Sequence, residues 1–121
     1  MSARIRDRNV LMVLVGVVCL LLKRWYAGFL GNVAISYAGN LSASFAVYFI
    51  IALAPIPRPT RVTITVLALL VVEGFELTNG FGIMTNVYDP FDYLANAIGI
   101  GVAVVADAGS ARFLQVTDHT A

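Results

Sequence analysis

Thr63-Ile-Thr-Val-Leu-Ala-Leu-Leu-Val-Val-Glu73-Gly-Phe-Glu76-Leu-Thr-Asn79 is an apolar run of the kind that crosses a bilayer, yet it carries two carboxylates near its end. Ionisable groups in such a segment are expensive to bury and therefore call for a partner or a function. Glu73 and Glu76 lie three residues apart, which puts them on one helix face with Asn79 as the next polar neighbour.

The rest of the chain supports placing this run in a membrane. Of 121 residues 60% are hydrophobic and only 12% are charged, with a mean hydropathy of +0.85, an imbalance that excludes an ordinary soluble domain. The charges cluster at Arg4 to Arg8, Lys23-Arg24, Arg58 to Arg61 and the C-terminal tail, with uncharged runs between. This pattern predicts an all-α, polytopic membrane protein, a four-transmembrane-helix bundle forming a single membrane domain over residues 1–121. The expected spans are 9–22, 37–56, 61–77 and 90–106, with 107–121 a short polar tail in which His119 is solvated. Pro55, Pro57 and Pro59 end the second span because proline cannot continue a helix, and Thr60 is placed to cap the third. The glycine-broken segment 27–38 reads as lying along the outer interface beside the aromatic belt of Trp25, Tyr26 and Phe29.

An even number of spans puts both termini on one side. With the N-terminus cytoplasmic, Arg4, Arg6, Arg8, Arg58, Arg61 and Arg112 fall inside and only Lys23 and Arg24 outside, which favours a multi-pass inner-membrane protein with both ends in the cytoplasm. The first run reads as a retained helix and not as a signal peptide, since Lys23-Arg24-Trp25-Tyr26 offers no small-residue cleavage site. The single cysteine, Cys19, excludes an intramolecular disulfide and is expected as a small apolar core residue.

In this topology the acids converge at the outer face. Glu73 and Glu76 sit in the outer half of the third span, and Asp89-Pro90-Phe91-Asp92 starts the fourth. Asp92, Asn96, Gly99 and Ala103 form one stripe whose small residues admit a neighbouring helix closely, and the third span is expected to dock on it. The predicted polar pocket contains Glu73, Glu76, Asn79, Asp89, Asp92 and Asn96, with the Tyr88 hydroxyl nearby. Four carboxylates in one pocket cannot all stay ionised without a positive partner. A divalent cation held by Glu73, Glu76, Asp89 and Asp92 is one candidate, a proton another, and an internal Arg or Lys such as Arg24 or Lys23 a third. Helix capping competes for the aspartates: Asp89 is a ready N-cap, and Asp92 in the first turn meets the helix dipole.

The combination Glu76-x-x-Asn79, a glycine-containing turn, then Asp92-x-x-x-Asn96-x-x-Gly99 resembles the signature of VanZ-like membrane proteins, and Gly39-Asn40 before the second span is also similar to such relatives. The resemblance covers about 37–107 and implies a small helical bundle of the bacterial inner membrane, some members of which protect against lipoglycopeptide antibiotics. This chain lacks the arginine that many members carry between the two helices, so a different counter-ion is implied, Arg24 or a bound cation. Two functions follow as expectations. One is an envelope protein whose outer pocket recognises a cation, a lipid headgroup or a cell-wall precursor. The other is a small membrane enzyme acting on a lipid headgroup, with Glu73 or Glu76 as general base and a metal on Asp89 and Asp92. No phosphate loop, zinc histidine pair or hydrolase triad is present, and no feature points to nucleic acid. Four short helices bury little surface, which suits a homo-oligomer or a larger partner.

Overall fold

The computed structural model describes residues 3–56, 60–78 and 90–120, with side chains through residue 114. Every element among them is helical: α1 (Ala3–Leu21), α2 (Lys23–Ala27), a 3-10 turn at Gly28–Leu30, α3 (Asn32–Leu53), α4 (Arg61–Leu77) and α5 (Pro90–Thr120).

Local chemistry explains most of the boundaries. Gly31 at φ 99° turns the chain into α3, a backbone conformation glycine alone adopts cheaply. That turn lets α3 start at Asn32, five residues before the expected Tyr37, so most of the segment assigned to the interface belongs to a long helix. Ala54, extended ahead of Pro55, ends it. The Thr60 side chain accepts from the Thr63 amide at 3.1 Å and starts α4, which matches the expected 61–77. At the two ends of the chain the helices run beyond the expected spans. The arginine-rich Arg4 to Arg8 stretch is already helical, and α5 continues through the segment read as a polar tail. The reason for the second extension is tertiary: Asp107 and Ser110 are anchored by Arg8 of α1.

Cross-helix contacts give the directions. Asn40 pairs with Asp92, Ser44 with Asn96 and Tyr48 with Asp107, so α3 and α5 run parallel. Gly16 faces Ala46 and Gly39 faces Leu20 and Lys23, so α1 is antiparallel to α3. Arg61 at the start of α4 reaches Asp107 late in α5, so these two are antiparallel. α3 is the central helix, packing most extensively on α1 and α5 and also on α4. The core joins Tyr48, Phe49 and Ala52 of α3, Ile64, Ala68 and Val72 of α4, and Ile100 and Ala103 of α5.

The stripe of α5 docks on two helices. Asp92, Asn96 and Gly99 meet α3, and α4, the expected partner, reaches the same stripe where Glu73 lies beside Asn96 and where Ala103 joins the core. A Cβ on Gly99 would stand 2.5 Å from the Leu41 carbonyl oxygen, so only glycine permits this approach. On α3 the match comes from Asn40 and Ser44, four residues apart and in register with Asp92 and Asn96. Gly101, by contrast, faces open space.

Polarity is distributed inside out. Asn9, Ser42, Ser44, Asn96 and Asp107 are buried, while Leu11, Leu14, Val18, Val62, Val66, Leu70, Leu94, Ile98 and Val105 are exposed along the outside. Two helices, Asn32–Leu53 and Pro90–Leu114, are long and apolar enough to cross a membrane, and a third span results if α1 and the following Lys23–Leu30 segment are one crossing bent by 53°. α4 has 17 residues, roughly 25 Å at about 1.5 Å per residue, short of a hydrocarbon core of about 30 Å. Cys19 is exposed on α1 and not part of the core as expected.

Candidate functional site

Two polar assemblies sit at opposite ends of the bundle. The first lies at the end that holds the N-terminus of α1, and no sequence motif announces it. Arg8 donates through Nη1 to Asp107 Oδ1 at 2.7 Å, to the Asp107 carbonyl at 3.1 Å and to Ser110 Oγ at 3.1 Å. Its Nε and Nη2 both reach Asn9 Oδ1, and its guanidinium lies 5.6 Å from the centre of the Phe49 ring. The second Asp107 oxygen accepts from the Tyr48 hydroxyl and, at 3.2 Å, from Arg61 Nε. Arg8 and Asp107 side chains are only 9% and 10% exposed. One carboxylate therefore ties α1, α3, α4 and α5 together. Arg8, counted from the sequence among the cytoplasmic charges, turns inward to a buried acid 99 positions away.

The second assembly is a cavity of about 990 Å³ at the other end. Its apolar walls include Leu20, Val33, Val47, Val71 and Phe75. Its polar side is made by Lys23, Ser36, Asn40, Ser44, Glu76, Asp92 and Asn96. Helix periodicity builds that side: Asn40 and Ser44 occupy successive turns of α3, Asp92 and Asn96 successive turns of α5, and the rungs close at 2.9 Å from Asn40 Nδ2 to Asp92 Oδ1 and 3.0 Å from Ser44 Oγ to Asn96 Oδ1. Tyr37 packs edge-on against Phe91, with ring centres 6.5 Å apart, at the same end. Lys23 arrives from α2 and Glu76 from the last turn of α4, so the cavity carries both signs of charge.

The predicted pocket residues thus fall into three sets. Glu76, Asp92 and Asn96 line the cavity. Glu73 lies beside the Asn96 amide, but its buried Oε1 has no hydrogen-bond partner among the described residues. Asn79 and Asp89, with Tyr88, lie outside the described residues, as does the His119 side chain. Among the described residues no three His, Cys, Asp or Glu side chains gather in a way that could hold a metal ion. Lys23, expected as a candidate counter-ion, also lines the cavity, while Ser36 and Ser44 were missed and Asn40 was noted only in the family resemblance; the four-residue spacing of Ser36, Asn40 and Ser44 was the available signal.

Glu73 supplies a direct test. An unpartnered buried carboxylate oxygen carries a desolvation cost that an amide of the same shape reduces. Glu73→Gln is expected to leave the melting temperature of the detergent-purified protein unchanged or to raise it by a few degrees. A clear fall would show that the carboxylate holds a positive partner.

No protein family, curated protein or solved structure matches this chain. The functional reading therefore rests on the geometry of the cavity and on the chemistry of its lining.

Proposed function

We propose that the protein is a non-enzymatic, four-span inner-membrane protein of VanZ-like type whose outer cavity recognises the polar end of an amphiphile, a lipid headgroup or a lipid-linked cell-wall precursor. The observation that carries this reading is the cavity itself: apolar walls that include the exposed Val33, Val71 and Phe75, and one side built of amides, hydroxyls, Lys23, Glu76 and Asp92. An acyl or prenyl chain fits the former, and a headgroup bearing both an anionic oxygen and a hydrogen-bond donor fits the latter. In the proposed topology α4 is the short fourth crossing, accommodated by local thinning, and Trp25 and Phe29, almost fully exposed beside the cavity end, mark the outer headgroup level. Arg4, Arg6, Arg61 and Arg112, with the inward-turned Arg8, then lie at the cytoplasmic end, a charge bias that supports both termini inside.

Ala43 lines the cavity without contributing a polar side chain, so Ala43→Trp fills the space and leaves the polar side in place. Native mass spectrometry of the purified protein is expected to find a co-purifying amphiphile that Ala43→Trp displaces and Lys23→Gln weakens. An identical lipid complement in all three proteins would rule the cavity out as the binding site. Incubation with a lipid extract is expected to leave every lipid species unchanged; appearance of a product would favour the headgroup-enzyme alternative.

A further inference from the structure

At the end opposite the cavity, α4 begins and the last turns of α5 pass it, leaving a groove of about 560 Å³ lined by Arg61, Val105, Ala108, Gly109, Ala111 and Arg112. Its shape comes from small side chains: Ala108, Gly109 and Ala111 leave room that larger residues would fill, and a Cβ on Gly109 would meet nothing within 4 Å.

The charge of this groove is not balanced by the described residues. Around it Arg8, Arg61 and Arg112 stand against Asp107, an excess of two positive charges, and on the adjoining first turns of α1 Arg4 and Arg6 outnumber Asp7. Arg8 is consumed by its buried contacts. Arg61 gives only its Nε to Asp107, which fixes the guanidinium plane while its terminal nitrogens donate no hydrogen bond among the described residues. Arg112 is exposed and forms no ion pair among them. Beside the two arginines the surface turns apolar: Val105 is 73% exposed, and Phe113, next to Arg112, is 70% exposed.

We propose that this groove is a binding site for the phosphate of an anionic phospholipid of the leaflet facing the N-terminus, with Arg61 and Arg112 on the phosphate oxygens and an acyl chain along Val105. A forked guanidinium suits a phosphate geometrically, and basic grooves between membrane helices attract anionic headgroups. The site is separate from the outer cavity and does not rest on it, although it does require the helices to lie in a bilayer. Neutralising the excess charge also has a structural consequence, since the lipid bridges the start of α4 to α5 at the level where Asp107 already joins them.

The test is native mass spectrometry of the full chain in detergent titrated with phosphatidylglycerol or phosphatidylcholine. Wild type is expected to bind phosphatidylglycerol preferentially, and Arg112→Gln to weaken that binding roughly fivefold, the scale of one basic side chain near an anionic membrane surface. Arg6→Gln, an exposed arginine of α1 that does not line the groove, is expected to keep the wild-type preference. Equal binding of the two lipids by wild type, or an equal loss in both variants, would overturn the site. Inorganic phosphate at millimolar concentration is expected to compete weakly; full displacement by it would overturn the lipid assignment in favour of free phosphate. Ala43→Trp leaves this binding untouched, which keeps the result independent of the cavity.

Discussion

Asp107→Ala is expected to be the most damaging single substitution in the protein, lowering stability by on the order of 3–5 kcal/mol. The magnitude comes from what the change leaves behind. Arg8 is 9% exposed and makes its shortest contact, 2.7 Å, to the Asp107 carboxylate, so removing the acid strands a buried cation. Tyr48, fully buried, loses its acceptor at the same time, and Arg61 loses the contact that ties α4 to this end. An unpaired charge held inside the bundle beside the Phe49 ring cannot be solvated without parting the helices. Asp107→Asn is expected to fall between wild type and Asp107→Ala, because an amide oxygen still accepts from Arg8 but carries no charge. The double variant Arg8→Met with Asp107→Leu should recover most of the loss, since replacing a buried pair by apolar residues is far less costly than breaking it. Denaturation of the purified protein in mixed micelles measures these three variants and the single substitutions Arg8→Met and Asp107→Leu, and a strictly additive cycle would show that Arg8 and Asp107 do not act as a pair.

Gly99→Ala is expected to have the next largest effect, about 1–3 kcal/mol, with Gly99→Ile preventing assembly. The added Cβ would lie 2.5 Å from the Leu41 carbonyl oxygen and 3.0 Å from Ser44 Cβ. The first of these is backbone in the middle of a helix and cannot rotate away, so α5 must move off α3. Separation at Gly99 also stretches the rungs above it, Ser44 to Asn96 at 3.0 Å and Asn40 to Asp92 at 2.9 Å, which form the polar side of the cavity. Stability and amphiphile binding should therefore fall together. Gly101→Ala is the control: nothing lies within 4 Å of its Cβ position, and alanine in place of glycine in a helix contributes up to about 1 kcal/mol. Equal melting temperatures for Gly99→Ala and Gly101→Ala would refute the close approach of α5 to α3.

Both predictions concern features that sequence reasoning saw unequally. Gly99 was legible because Asp92, Asn96, Gly99 and Ala103 repeat at helical spacing, and periodicity along one helix is a local property. Its partner was not legible, because spacing says which residues share a face and nothing about which helix arrives there. The Asp107 hub was legible in neither respect. Arg8, Tyr48, Arg61 and Asp107 are far apart in the chain and each has an ordinary local explanation, as an interfacial arginine, a span tyrosine, a helix start and the beginning of a tail. The acids near Glu73 drew attention because they interrupt an apolar run, yet the principal ion-pair network formed at the other end.

The sequence by itself determined that this chain is helical and of membrane-like composition, that a helix ends before Pro55 and that the next is capped at Thr60. Those are consequences of composition and of backbone constraints that act within a few residues. It led to an expectation of four crossings, whereas two or three helices are long and apolar enough to span, and it did not show that α3 begins at Gly31. Only the tertiary structure decided that α3 lies at the centre, that Asn40 and Ser44 complete the cavity begun by Asp92 and Asn96, and that Asp107 holds four helices with Arg8, Tyr48 and Arg61. The physical reason is that a buried polar group must find a partner wherever packing brings one, and packing is set by the fit of whole helix faces, which no local window of sequence contains.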